Sequence, residues 1–161
     1  MGYNVGTSLV SDDEEVLESV KNIIDNYQDK LVYSKNFIVL SDNNIVEKTI
    51  DDITDEDIIY DNITNINELL DSNKTVFFNG TCGKFEEDRY STGTKKLLND
   101  LMNSKAKVYV GGGDTVSAVT KFGFEDKFEY LSSGGGATLE YVAYGSLKAV
   151  DFIKENGVEN K

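Results

Sequence analysis

The chain has 161 residues, of which 29 are acidic and 16 basic, and its formal net charge is -13. A surface this acidic disfavours nucleic acid and anionic lipid as partners. The chain has no histidine, which excludes imidazole as a base or metal ligand, and its only cysteine, Cys82, cannot form an internal disulfide. No apolar run reaches the length of a membrane span, so we expect a cytoplasmic protein with neither a nucleic-acid nor a membrane partner.

The first segment predicts one amphipathic helix followed by two short strands. Ser11 and Glu14 have the spacing of a capping box, and apolar residues then recur at helical spacing as far as Tyr27. Residues 31–33 and residues 37–40 are short apolar runs that favour buried strands.

Residues 41–57 form an acidic and polar segment that has two interpretations. A calcium loop is one, because several aspartates lie close together. The spacing, however, lacks the glycine and the terminal glutamate of an EF-hand. A solvated surface segment is therefore favoured.

The second half of the chain alternates strands with helices. Strands are predicted at residues 74–78, 107–110 and 128–131, and helices at residues 93–103, from 116 to a stop near Gly123, from about 139, and at residues 146–156. Such alternation favours parallel strands joined by right-handed crossovers. The fold class predicted is α/β, a doubly wound, mostly parallel, Rossmann-like three-layer sheet.

Two glycine triplets follow predicted strands, at residues 111–113 and 134–136. Ligands of such sheets bind beyond the carboxyl ends of the strands. Glycines there let main-chain N–H groups at a helix start approach an anion. Tight turns alone would also explain the glycines, and neither triplet has the spacing of a P-loop or a dinucleotide fingerprint. The pair of triplets nevertheless favours a polyphosphate held from two sides.

Asp114, which follows the first triplet directly, has two possible roles. As a helix N-cap, its carboxylate would accept hydrogen bonds from the first-turn amides. As a metal ligand, it would hold Mg²⁺ against phosphate oxygens, since Mg²⁺ favours one or two carboxylates completed by water and phosphate. Both roles can coexist on different oxygens.

Three linked motifs give the chain a resemblance to a known family. The motifs are Asn79-Gly80-Thr81-Cys82-Gly83-Lys84-Phe85-Glu86, Gly111-Gly112-Gly113-Asp114-Thr115 and Ser132-Ser133-Gly134-Gly135-Gly136-Ala137-Thr138-Leu139-Glu140. In this order and spacing, the chain closely resembles the C-terminal, nucleotide-binding domain of phosphoglycerate kinase. The resemblance covers nearly the whole chain, to about Asp151, and implies a single incomplete domain over residues 1–161, without the N-terminal substrate domain.

The resemblance implies reversible phosphoryl transfer between 1,3-bisphosphoglycerate and MgADP, giving 3-phosphoglycerate and MgATP. ATP or ADP is then a substrate and Mg²⁺ the cofactor. Asn79 is expected near the nucleotide, Glu86 on the ribose hydroxyls and Asp114 on Mg²⁺. Main-chain amides are expected to line the phosphates, and these belong to Gly111, Gly112, Gly113 and Thr115. The main chain of the second triplet, Gly134, Gly135 and Gly136, is expected to face the transferring group.

The chain also departs from the family pattern. Ile59 stands where the family has a glycine beside the adenine, and Arg89 is the only arginine. The family's N-terminal half, with its arginines for 3-phosphoglycerate, has no counterpart here. Three hypotheses follow: a kinase part that is active only with a separate chain supplying that half, a non-catalytic ATP- or ADP-binding module, or a decayed fragment.

Overall fold

The computed structural model describes residues 2–70 and 74–157. The chain divides into two compact units. The first unit comprises Met1–Ile66 and Cys82–Leu97, and the second comprises Asn67–Thr81 and Leu98–Lys161. Each of the two sheets in the described ranges has three strands.

Helix α1 of the first unit spans Glu14–Tyr27. Its N-cap is Asp13, whose carboxylate accepts hydrogen bonds from the amides of Glu15 and Val16. The predicted capping box is therefore wrong, because Ser11 lies outside the helix and its hydroxyl accepts from the Asp13 amide instead. No residue of α1 is buried.

The first unit contains an antiparallel sheet. The predicted strand at residues 37–40 is confirmed, because it lies within the first strand of this sheet, whereas the other two strands were not predicted. The strands are β1 (Asn36–Ser41), β2 (Asn44–Thr49) and β3 (Ile58–Ile63), in the order β2-β1-β3. Strands β1 and β2 are joined by a two-residue turn in which Asp42 and Asn43 have φ values of 49° and 62°. Positive φ at both central residues is required by the type I′ turn of a two-residue β-hairpin.

Two further predictions for the first unit are wrong. Residues 31–33 do not form a strand. Residues 41–57 are not simply a solvated segment, since they contain β2 and two buried side chains, Ile53 and Asp57. The apolar pattern of β2 was too weak to identify it, because this strand lies at the edge of its sheet and is largely exposed.

The second unit contains the predicted parallel sheet. Strands β4 (Thr75–Asn79), β5 (Lys107–Gly111) and β6 (Tyr130–Ser132) lie in that order and are parallel throughout. The helices are α2 (Thr92–Asn103), which begins in the first unit, and α3 (Gly113–Lys121), α4 (Gly135–Tyr144) and α5 (Lys148–Glu155). The α/β fold class with a parallel sheet flanked by helices is confirmed. Strand β6 starts two residues later than the predicted 128, because residues 125–127 form a 3₁₀ turn.

The two faces of the parallel sheet differ in their covering. Buried residues alternate along the strands on one face, among them Phe78, Val108 and Val110, and the helices add Leu98, Leu101, Ala118 and Val119 to the same core. The opposite face carries a row of aromatic residues in register, Phe77, Tyr109 and Tyr130. Their side chains remain 38%, 36% and 57% exposed, respectively.

Among the described residues, no helix combines the length and the apolar character that crossing a bilayer requires.

Candidate functional site: a glycine cradle at the ends of the parallel strands

The three sequence motifs begin at the carboxyl ends of the three parallel strands. Asn79 is in register with Gly111, and Gly111 is in register with Ser132, so the carboxyl ends of β4, β5 and β6 are neighbours. This edge is where open α/β sheets bind their ligands. We call the group formed by Asn79, residues 111–115 and residues 132–136 the glycine cradle.

The two glycine triplets lie directly against each other. The Gly112 amide donates a hydrogen bond to the Ser132 carbonyl oxygen at 2.9 Å. A Cβ atom at Gly135 would stand 2.7 Å from the Gly112 Cα, a separation that real Cβ atoms do not adopt. Gly112 also has a φ of 99°, which disfavours any side chain. Backbone therefore touches backbone here, and the sequence requires glycine for it.

Asn79 and Thr115 fill the base of the glycine cradle. A Cβ at Gly112 would lie 3.1 Å from Asn79 Oδ1 and 3.2 Å from Thr115 Oγ1. The Thr115 hydroxyl accepts a hydrogen bond from the Gly80 amide at 2.8 Å, and its side chain is only 1% exposed. Thr115 was predicted to contribute only its main-chain amide, and this side-chain contact was not predicted.

The helix starts determine which amides can meet an anion. Val116 donates the first intrahelical bond of α3, to Gly112 O, so the amides of residues 113–115 precede it and have no partner within the helix. The Gly112 amide donates a hydrogen bond to the Ser132 carbonyl oxygen, and its expected place among the phosphate-binding amides stays a prediction. In the second triplet, Gly134 and Gly135 donate to Ser132 Oγ and Ser133 O within their own turn.

Asp114 is the second residue of α3 and its side chain is exposed. The N-cap is Gly112, and no side chain caps this helix start, so the N-cap interpretation of Asp114 is wrong. The described residues contain no cluster of three or more potential metal-ligating side chains. A lone carboxylate suits Mg²⁺ that arrives with phosphate and water ligands, and it does not suit a cage made by protein alone.

Glu86, which is predicted to bind the ribose hydroxyls, lies in the first unit and is exposed. It follows the buried Phe85. The next residue, Glu87, accepts hydrogen bonds from Lys84 and Arg89. These bonds lower the pKa of Glu87, and the bond from Lys84 has the larger effect. Arg89 also lies over the Tyr90 ring, with its Cζ 4.6 Å from the ring centroid.

Cys82 is an inert thiol in this setting. Burial, and then the nearby charge of Asp61, raise the pKa of Cys82 to about 12. Because the thiolate is the reactive form, such a thiol is a poor nucleophile near neutral pH.

Parallel strands with two abutting glycine loops at their carboxyl ends define a protein of the open α/β class. The family profile described as phosphoglycerate kinase matches residues 1–144. The chain therefore belongs to the phosphoglycerate kinase family.

Relatives of this family match nearly the whole chain. The phosphoglycerate kinase of Finegoldia magna is 36% identical over 96% of this chain and 41% of its own length. That of Wigglesworthia glossinidia brevipalpis is 33% identical over 96% of this chain and 40% of its own length. The chain thus spans about two fifths of these relatives.

Solved structures agree with the same fold. The phosphoglycerate kinase of Coxiella burnetii matches 93% of this chain and 41% of its own, with a TM-score of 0.80 and 34% identity. The enzyme of Pyrococcus horikoshii OT3 matches 95% of this chain and 41% of its own, with a TM-score of 0.75 and 22% identity, a similarity that concerns the fold alone.

Proposed function

We propose that this chain binds MgADP and MgATP through the glycine cradle and is the nucleotide-binding part of a phosphoglycerate kinase. The reaction proposed is reversible transfer of the acyl phosphate of 1,3-bisphosphoglycerate to MgADP, giving 3-phosphoglycerate and MgATP. The observation that carries the proposal is the contact of the two glycine triplets, in which a Cβ at Gly135 would meet the Gly112 Cα at 2.7 Å.

The polarity of the glycine cradle supports a polyphosphate ligand. The helices α3 and α4 both start at its edge, at Gly113 and Gly135. Helix starts present unpaired amides and the positive end of the helix dipole, and both favour an anion. With two starts on neighbouring strands, one chain of phosphates can be held from two sides.

Asp114 is the proposed magnesium ligand. Its carboxylate is exposed at the start of α3 and makes no cap. When bound, Mg²⁺ neutralises charge on the phosphates and so favours transfer between oxygens. The protein's own contribution is placement: amides hold the phosphates still, and Asp114 fixes the side on which the metal lies.

The ribose is the proposed ligand of Glu86, on the strength of the family resemblance. The exposed carboxylate of Glu86 suits two hydroxyl donors, as a charged acceptor forms stronger hydrogen bonds than a neutral one. The adenine is expected beside Ile59, a bulkier residue than the family's glycine.

Catalysis is proposed to need a second polypeptide segment that corresponds to the remaining three fifths of the relatives. Arg89, the only arginine, hydrogen-bonds Glu87 through Nε and an Nη atom, at 2.9 and 2.7 Å. Transfer of a phosphoryl group relies on cations that offset developing charge. By itself, then, the chain is proposed to bind nucleotide without transferring phosphate. The engagement of Arg89 by Glu87 also supports the alternative of a non-catalytic module.

The exposed aromatic row of the parallel sheet suits such a second segment. Phe77, Tyr109 and Tyr130 lie side by side on three strands and remain partly exposed. In a doubly wound sheet both faces are normally covered. We propose that a separate chain supplying the substrate-binding half, or an adjoining part of the same protein, covers this row.

Calorimetric titration with MgADP tests the binding proposal. The wild-type chain is expected to release heat with a measurable Kd, and Asp114→Ala to weaken binding about tenfold or more, since a ligand of the metal is lost. Asp126→Ala, which removes another exposed acidic residue of the second unit, is the matched control and should leave the Kd unchanged. Absence of heat at millimolar MgADP contradicts the proposal.

Reconstitution tests the catalytic half of the proposal. The chain is mixed with the Finegoldia magna segment that lies outside the matched region, and ATP formation from 1,3-bisphosphoglycerate and MgADP is followed. We expect activity only in the mixture, reduced by Tyr130→Gln and unaffected by the control Glu129→Gln. Nucleotide binding without any activity in the mixture would favour the non-catalytic module.

A further inference from the structure

Asp61 is a buried carboxylate that fastens part of the first unit to strand β3. It is 1% exposed. Its Oδ2 accepts a hydrogen bond from the Gly93 amide at 2.6 Å, and its Oδ1 accepts one from the Asn62 amide at 2.9 Å. A carboxylate is costly to bury unless both oxygens are bonded in this way. Since Gly93 is the second residue of α2, Asp61 also caps that helix from a distant strand.

Two glycines let the chain approach Asp61 closely. A Cβ at Gly83 would lie 2.6 Å from Asp61 Oδ1 and 2.2 Å from the Tyr60 carbonyl oxygen. A Cβ at Gly93 would lie 2.7 Å from Asp61 Oδ1 and 1.8 Å from the Asn62 carbonyl oxygen. Neither position accepts a side chain unless the backbone moves, so residues 83 and 93 are both pressed against β3 at Asp61.

Glu86 lies between these two anchor points. On its N-terminal side, the Lys84 amide donates to the Tyr60 carbonyl oxygen at 2.9 Å, and Asn62 Nδ2 donates to the Cys82 carbonyl oxygen at 2.5 Å. On its C-terminal side, the chain is held by the bond from Gly93 to Asp61. The segment that carries Glu86 is therefore tied to one strand at both ends.

We propose that Asp61 is a positioning residue for Glu86. By holding residues 82–93 against β3, Asp61 fixes the direction in which Glu86 presents its carboxylate to the ribose hydroxyls. The inference rests on the proposed function, because Glu86 is assigned to the ribose there. Asp61 does not itself contact ligand, since its side chain is buried and both oxygens are engaged.

A purely structural role would make Asp61 equivalent to another buried carboxylate of the same unit, Asp57. Asp57 is fully buried as well, and its partners are Lys48 and the Thr54 amide, with no hydrogen bond to residues 82–93 among those that the structure records for it. Loss of either carboxylate should lower stability. Only the loss of Asp61 should change how the protein recognises ribose.

The test is a comparison of MgADP with magnesium 2′,3′-dideoxy-ADP, titrated calorimetrically into wild type, Asp61→Asn, Glu86→Gln, the double variant and Asp57→Asn. Wild type is expected to prefer ADP by about tenfold, the order of one or two charge-assisted hydrogen bonds. Asp61→Asn offers one acceptor oxygen to two amides, so the preference should fall to about twofold while binding of the dideoxy nucleotide is kept. The double variant should lose no more preference than Glu86→Gln alone, and Asp57→Asn should keep the full preference.

Each remaining outcome decides the matter. If Asp61→Asn keeps the ADP preference, the positioning role is overturned and the nucleotide proposal stands. If wild type binds both nucleotides equally, the ribose assignment of Glu86 fails together with the positioning role. Should wild type bind neither nucleotide, the proposed function itself is overturned. If Asp61→Asn does not fold, Asn62→Asp decides instead, because it removes the second tether, to Cys82, and is expected to reduce the ADP preference in the same way.

Discussion

The hydroxyl of Thr115 accepts a hydrogen bond from the amide of Gly80 at 2.8 Å, although the two residues follow different strands of the parallel sheet. Gly80 comes directly after β4, and Thr115 lies in the first turn of α3. The bond joins two motif loops of the glycine cradle through a side chain that is 1% exposed. The shape of the glycine cradle thus depends on a buried side chain.

Thr115→Val is expected to lower the free energy of unfolding by about 1–3 kcal/mol. Valine fills nearly the same space but leaves the Gly80 amide without its acceptor, and an unpaired buried donor has about this cost. Thr115→Ser keeps the hydroxyl and is the matched control, with a smaller loss from the missing methyl group. Urea unfolding followed by circular dichroism measures both. Equal stability of the two variants would show that the hydroxyl contributes little.

Gly135→Ala is expected to disturb the glycine cradle, whereas Gly136→Ala is not. A Cβ at Gly135 would stand 2.7 Å from the Gly112 Cα, but nothing lies within 4 Å of a Cβ at Gly136. Both positions are in the first turn of α4, so the change in helix propensity is similar. The first variant should lose stability and weaken MgADP binding. The second should gain up to about 1 kcal/mol of stability.

Thermal unfolding and MgADP titration of these two variants distinguish a steric clash with Gly112 from the loss of a glycine in the second triplet. If Gly136→Ala weakens binding as much as Gly135→Ala does, the ligand needs a bare backbone at both positions. The contact between the two triplets would then not be the determining feature.

Asp57 and Asp61 are expected to affect the acid stability of the first unit in opposite directions. Hydrogen bonds, foremost from Lys48 and then from the Thr54 amide, lower the pKa of Asp57. Its stabilising contribution is therefore complete above the unfolded pKa of about 3.9 and is lost as the pH falls below that value. Burial raises the pKa of Asp61. Stability linked to Asp61 consequently increases as the pH falls through its folded pKa.

Urea midpoints measured between pH 3 and 7 test these signs. Asp57→Asn should make the loss of stability toward low pH shallower than in wild type, and Asp61→Asn should make it steeper. The neutral Asn side chain does not titrate, so each variant removes one contribution to the slope. Parallel curves for all three proteins would contradict both assignments.

The parallel sheet was predictable from the sequence because its signals are local. An apolar strand, a glycine cluster and a helical stripe recur in order around β4 and β5, and the right-handed crossover rule then fixes the topology. The same recurrence placed both triplets at the carboxyl ends of neighbouring strands. The contact of Gly112 with Gly135 could only be anticipated in outline, since it depends on strand register and on the helix starts.

Only one strand of the antiparallel sheet was predicted, from the apolar run at residues 37–40 in β1, and β2 and β3 were not predicted. Strand β2 is mostly exposed, and β3 follows an acidic segment. One usable signal was present. Asp42-Asn43 separates two β-capable runs by two residues that tolerate positive φ, which is a hairpin signature. Asp61 gave no such signal, since Gly93, whose amide it accepts from, and Gly83, which approaches it closely, are both distant in sequence.

Cys82 is expected to react slowly with thiol reagents while the chain is folded. Burial, and to a smaller extent the negative charge of Asp61, raises the pKa of Cys82 to about 12. An unperturbed thiol has a pKa of about 8.5, so at pH 8 the folded protein should hold on the order of a thousandfold less thiolate. Labelling with iodoacetamide should therefore be slow in buffer and rapid in concentrated urea.

Asp61→Asn should speed the folded-state reaction, because it removes the neighbouring negative charge. Asp57→Asn should not, provided that both variants are folded. Rapid labelling of the folded wild type would mean that the segment carrying Cys82 opens from β3 readily, and the tethers at Asp61 and Asn62 would then be weaker than their geometry implies.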